Sequence, residues 1–208
     1  MGRGPTPDPI SLVYKTVATP NSGLPDAVQS DVSLYVDVYP PCSHLNDTPA
    51  PEDSCVGMPA VVYFHGGGLV VGNRKSWFPE WLRCERFTTW SIYPCSGRAD
   101  HKCRAGRLSE QGVALLSADY RLLSPLGGHE IVEDIQDLFA YILGDLNPAL
   151  ARAAGGLSKL KINIGAIGVA GSSAGGLCTY LCAMHLSPKP RALLSVYGQA
   201  GECLVRRF

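Results

Sequence analysis

The chain has 208 residues, a formal net charge of zero, 46% hydrophobic residues and only 17% charged ones. That is one domain by length, with enough apolar residues for a substantial core. The balance excludes a basic nucleic-acid surface and an acidic interaction tail, and no run of about 18 apolar residues marks a membrane span.

Residues 1–9 are polar and rich in Pro and Gly, without the apolar stretch of a secretion signal. They are expected to be disordered, and the protein to be cytoplasmic. The chain holds eight cysteines. Without a secretion signal they do not read as a disulfide framework. Cys178 and Cys182 stand four apart on one face of an expected helix, as small core residues. Cys84, Cys95 and Cys103 with His101 lack a close Cys-x-x-Cys pair, so no metal and no other cofactor is expected.

Residues 10–17 alternate loosely and predict a first strand. Residues 31–39 alternate well: Val32, Leu34, Val36 and Val38 share one face of a half-buried strand. Two such strands, followed by a polar surface loop over 40–59, suit the antiparallel edge of a mixed sheet. Residues 60–64 are a continuous apolar run, a buried central strand, and it runs straight into His65-Gly66-Gly67-Gly68. Glycines directly after a buried strand mean that the backbone approaches something closely. An oxyanion held by exposed N–H groups is one candidate. A phosphate loop is the rival, and it lacks both the Gly-Lys-Ser/Thr ending and the G-x-G-x-x-G spacing.

A helix is expected to start over 77–82, and a buried strand over 112–119 ends in Asp119-Tyr120-Arg121-Leu122. Helical spacing over 131–143 aligns Ile131, Ile135, Leu138 and Ile142, with Glu133, Asp134 and Asp137 as polar positions. Residues 162–170 read as a strand, 174–186 as a helix stopped by Pro188 and Pro190, and 192–197 as one more buried strand. Strands alternating with helices at this spacing predict an open, mostly parallel α/β sheet.

Between the strand 162–170 and its helix lies Gly171-Ser172-Ser173-Ala174-Gly175-Gly176. Gly-x-Ser-x-Gly between a strand and a helix is the pattern of a nucleophile elbow. The turn is sharp, and side chains two residues either side of the serine would collide with the neighbouring elements. Ser173 then stands at the tip, above a helix N-terminus. A plain Gly-rich turn is the bland alternative.

With HGGG, DYRL and GSSAGG in that order, the chain resembles the α/β-hydrolases, and most the hormone-sensitive-lipase-like esterases of the fold-3 group. The resemblance spans roughly residues 10–198. It implies a mostly parallel sheet with flanking helices, here lacking the family's last strands. Residues 10–208 would form this incomplete domain, with an atypical insertion at 83–107. The resemblance makes Ser173 the acylation nucleophile, and Gly67, Gly68 and Ala174 the oxyanion-hole donors. His65 then fixes the loop and is not the base. The implied partner is a small-molecule acyl ester.

The family order is Ser, then Asp/Glu, then His. After Ser173 the chain offers only Glu202 and His185. His185 lies about 18 Å along the expected helix, beyond hydrogen-bond reach. His44, His101 and His129 precede the serine, so acid and base are not recognisable. Segments 83–107 and 200–208 depart from the family pattern. They read as translated intron or shifted frame; a genuine insertion and a genuine short end are the alternative. The expected function is carboxylic-ester hydrolysis through an acyl-enzyme, impaired in this chain. The alternatives are a non-catalytic small-molecule binder, as plant gibberellin receptors of similar sequence are, or an amidase resembling kynurenine formamidase.

Overall fold

Alternation and apolar runs place the strands, and the computed structural model describes residues 9–18, 31–41, 57–76, 111–123, 127–153 and 160–199. β1 (Ile10–Ala18) and β2 (Asp31–Tyr39) pair antiparallel. β3 (Met58–Phe64) lies between β4 (Ala114–Ala118) and β5 (Ile162–Ser172), parallel to both. β6 (Ala192–Val196) pairs parallel with β5. The sheet order is β1-β2-β4-β3-β5-β6, with β2 antiparallel to β4. The expected mixed sheet, parallel apart from one antiparallel edge, is the observed one.

Three helices complete the described structure: α1 (Gly128–Gly144), α2 (Leu146–Ala153) and α3 (Ala174–His185). The first turn of α1 is closed by Glu130, whose carboxylate accepts the Gly127 N–H at 3.0 Å. Its stripe of Ile131, Ile135, Leu138 and Ile142 is buried against Val36, Val62 and Leu116 of the sheet. Cys178 and Cys182 join the same core from α3, as small apolar residues. Burial pushes the Cys178 thiol up to about 12, so it stays protonated. The opposite sheet face carries a smaller cluster of Tyr63, Leu115 and Ala170.

Several expectations are corrected. β3 starts at Met58, inside the stretch read as surface loop, because Met58 pairs with Ile162. β2 is buried on both faces towards its end: Asp37 is as inaccessible as Val36 and Val38, while Val32 stays exposed. Asp134, read as a polar helix position, is also buried, because Lys15 and Arg121 both reach its carboxylate at 2.8 Å. α2 has no counterpart among the expected elements, and it contains Pro148. That proline sits in the helix's first turn, where the missing N–H costs nothing. Asn147 ties that turn to β5, bonding both N and O of Ile162 at 2.8 and 2.9 Å. The expected helix over 77–82, the segment 83–107, the Cys84, Cys95, Cys103 and His101 group, residues 1–8 and residues 200–208 lie outside the described residues.

β6 is a strand but not a buried one. It ends the described sheet, and Leu193 and Leu194 are 46% and 47% exposed. An apolar strand with one unpaired edge templates further pairing. The purified chain is therefore expected to form polydisperse oligomers, and Leu193→Lys to raise the monomer fraction in size-exclusion chromatography. A monodisperse wild-type sample with one cooperative unfolding transition would contradict this.

Candidate active site

The parallel strands β3, β4 and β5 bring three loops to one edge of the sheet. After β3 the chain turns through His65-Gly66-Gly67-Gly68. Gly67 and Gly68 take φ of 110° and 65°, where L side chains are disfavoured. Leu69 follows at φ 63° and is buried. The Gly67 carbonyl then accepts N–H groups from both Val70 and Val71 at 3.1 Å, which folds the turn back on itself.

After β5 the chain reaches Ser173 at φ 52°, ψ −119°, a strained conformation for a residue with a side chain. Three backbone bonds hold it. Ser173 N–H donates to Val196 O, and Ser173 O accepts from Gly176 and Gln199, each at 3.0 Å. The serine sits at the N-cap of α3 and its side chain makes no capping bond. Ala174 is the first residue of that helix, so its N–H has no acceptor within the helix. Beneath, Ser172 is buried and shares a 2.8 Å hydrogen bond with the Tyr63 hydroxyl.

The two turns meet through glycines. A Cβ on Gly66 would lie 3.4 Å from Ser173 Cβ and 3.2 Å from Ser172 O. A Cβ on Gly175 would overlap Phe64 O, and one on Gly171 would overlap Gly175 O. The structure thus brings Gly66 against Ser173, with Gly67 and Gly68 next along the same turn and Ala174 next along the helix.

His65 is 1% exposed and stacks on Tyr120 with ring centroids 4.4 Å apart. Its Nδ1 lies 2.7 Å from Gly66 O, so Nδ1 carries the proton and donates. Tyr120 closes the clamp by donating to His65 O at 2.9 Å. Burial pushes the His65 pKa below its ordinary value, against the smaller opposing effects of the Gly66 hydrogen bond and Asp119. The ring is neutral and its geometry suits fixing the loop. Among the described residues no histidine hydrogen-bonds Ser173. His129 is exposed in the first turn of α1, and His185 is exposed at the end of α3.

The residues that sequence reading passed over are those holding the loop. Asp119 accepts the Arg74 backbone N–H at 2.8 Å and its guanidinium at 2.7 Å. Arg121 pins α1 through Asp134 and Glu133. The DYRL motif was the available signal, since three polar residues at the end of a buried strand need partners.

No family model matches the chain. A probable carboxylesterase of Phoma sp. is 27% identical over 158 residues, covering 74% of this chain and 42% of that protein. Among solved structures, a thermophilic esterase of Thermogutta terrifontis with propionate bound matches with a TM-score of 0.51 and 19% identity, over 92% of this chain and 55% of the other. Esterase 2 of the same organism, phosphonylated by cyclosarin, gives 0.53 and 16%, over 98% and 62%. The chain thus spans about two fifths of its curated relative and little more than half of these structures. The fold is that of the α/β-hydrolases, and the sequence is similar to a carboxylesterase.

Gly175→Ala drives a methyl into the backbone of β3 and is expected to cost about 3 kcal/mol of unfolding free energy, read by urea titration. His65 gives a pH signature. Its folded pKa lies below the ordinary 6.5, so its contribution is full above that pH. It is lost as pH falls from there towards the lower folded value, because the unfolded state takes up the proton first. Melting temperature should therefore fall between pH 7 and 5, and less steeply in His65→Gln.

Proposed function

We propose that the chain carries the nucleophile and oxyanion site of a serine hydrolase acting on small carboxylic esters. Ser173 is the nucleophile, and the N–H groups of Gly67, Gly68 and Ala174 receive the oxyanion. The observation that carries this reading is the strained Ser173 packed against Gly66, with the folded-back glycine turn beside it. The similarity to a carboxylesterase and the esterase fold support it.

In this reading Ser173 Oγ attacks the ester carbonyl, and its proton must leave. The carbonyl oxygen becomes an oxyanion against the three N–H groups. Collapse expels the alcohol and leaves an acyl-serine, which water hydrolyses. Each donor contributes about 3 kcal/mol to the transition state. Among the described residues none takes the proton from Ser173, and the chain is proposed to turn over slowly, with acylation limiting. A non-catalytic binder of an acyl compound is the second reading, favoured by the same lack of a base among the described residues.

Esterase 2 of Thermogutta terrifontis is phosphorylated by paraoxon, and that reagent serves as the probe here. The expected result is a single phosphoryl adduct on Ser173 by mass spectrometry, none in Ser173→Ala, and p-nitrophenyl butyrate turnover close to buffer background. Rapid turnover abolished by Ser173→Ala would keep the nucleophile and overturn the impairment. Turnover that survives Ser173→Ala would overturn the site. Saturable binding of the ester with neither adduct nor turnover would move the assignment to the binder.

A further inference from the structure

Arg74 lies six residues beyond Gly68, outside the glycine turn, yet it has more anchored contacts than any glycine in it. Its backbone N–H donates to Asp119 Oδ1 at 2.8 Å, and its carbonyl accepts from Ser117 Oγ at 2.6 Å. Its guanidinium donates to Asp37 Oδ1 at 2.8 Å through Nε and to Asp119 Oδ2 at 2.7 Å through a terminal nitrogen. The same group lies over the Tyr35 ring, 4.6 Å from its centroid. β2 supplies Tyr35 and Asp37, β4 supplies Ser117, and Asp119 follows directly on β4.

We infer that Arg74 is a positioning residue that sets where the Gly67 and Gly68 N–H groups stand relative to Ser173. The inference rests on the serine-hydrolase reading above.

Four residues between His65 and Arg74 take positive φ: Gly67, Gly68, Leu69 and Gly72. Such a stretch has many alternative conformations and few regular bonds to choose among them. Its near end is held where Tyr120 bonds His65 O, and its middle where Leu123 N–H bonds Leu69 O. Its far end is held by Arg74. Asp119 and Tyr120 are adjacent, so a single dipeptide at the end of β4 fixes both ends of the loop. Asp37 makes the far anchor stiff. It is wholly buried, and its Oδ1 accepts both from Arg74 Nε at 2.8 Å and from Ser11 Oγ at 2.6 Å. A guanidinium spans Asp37 and Asp119 together because its nitrogens form a planar fork. A lysine ammonium keeps the charge and the backbone bonds but lacks the planar fork, so Arg74→Lys loosens the clamp on Asp37 and Asp119.

The test uses Arg74→Lys in the full chain, with two readouts. Hydrogen exchange measures the loop directly. Amides of residues 66–72 are expected to exchange at least tenfold faster than in wild type, with amides of β3 and β5 unchanged. Paraoxon measures the site. In that step the bond from Ser173 Oγ to phosphorus forms, the bond from phosphorus to p-nitrophenolate breaks, and the serine proton passes to hydroxide. The maximal rate is expected to fall at least tenfold, with half-saturation changed less than twofold, because the donors act on charge that develops only in the transition state.

Should Arg74→Lys fail to fold, Asp119→Asn gives the same two readings while leaving the Asp37 contact in place. Loop exchange equal to wild type overturns the inference. Faster loop exchange with an unchanged phosphorylation rate also overturns it, since the loop then moves without consequence for Ser173. Faster loop exchange in a chain whose wild type is never phosphorylated at Ser173 sustains the tether and sinks the serine reading instead.

Discussion

The site depends on how closely the first turn of α3 approaches the end of β3. Gly175 lies against the carbonyls of Phe64 and His65 with no room for a side chain. That contact sets the distance between the glycine turn after β3 and the serine turn after β5. It explains why the helix can start immediately after a strained serine. The helix is packed onto the neighbouring strand's backbone before its first hydrogen-bonded turn is complete. Gly171, facing Gly175 O across the elbow, belongs to the same constraint.

A second constraint is electrostatic and lies one strand away. Asp37, Asp119 and Asp134 are buried or nearly so, and each is met by a cation: Arg74, Arg74 again, and Lys15 with Arg121. Removing one partner from such a pair leaves an uncompensated charge and costs more than the pair itself contributes. These residues therefore act less as sources of stability than as selectors of one arrangement. Asp134 fixes α1 to β1 and to the end of β4. Asp37 and Asp119 fix the loop beyond the glycines. Polar residues at the ends of buried strands thus connect the helical layer and the site loop to the same two strands.

Much of this was legible in the residues. The alternation in β2, the apolar run in β3 and the stripe on α1 each answer to one local period, and each element formed there, with β3 and α1 starting two and three residues earlier than expected. The glycine turn and the elbow were legible because their residue types have narrow uses. What was not legible depends on distant partners. Asp37 sits in an alternating strand at a position that should face water, and its burial is met by two distant partners, Ser11 on β1 and Arg74, thirty-seven residues later. α2 is only eight residues long, too short for its three buried positions to stand out as a period. The apolar run of β6 read as a buried strand, whereas its place at the end of the described sheet follows from the resemblance, whose last strands have no counterpart among the described residues.

Topology explains why these loops meet at all. The chain passes from β3 to β4 on one side, then crosses through α1 and α2 to β5 on the other side of β3. In an open parallel sheet such a reversal leaves a crevice at the carboxyl ends of the strands. The glycine turn leaves β3 at that point and the serine turn leaves β5 beside it. The loop after β4 lies on the far side, where it can reach the glycine turn from behind. Residues 119–121 are therefore placed to support the turn, while the first turn of α3 is placed to face it. The division between residues that hold the loop and residues that line the site follows from strand order before any side chain is considered.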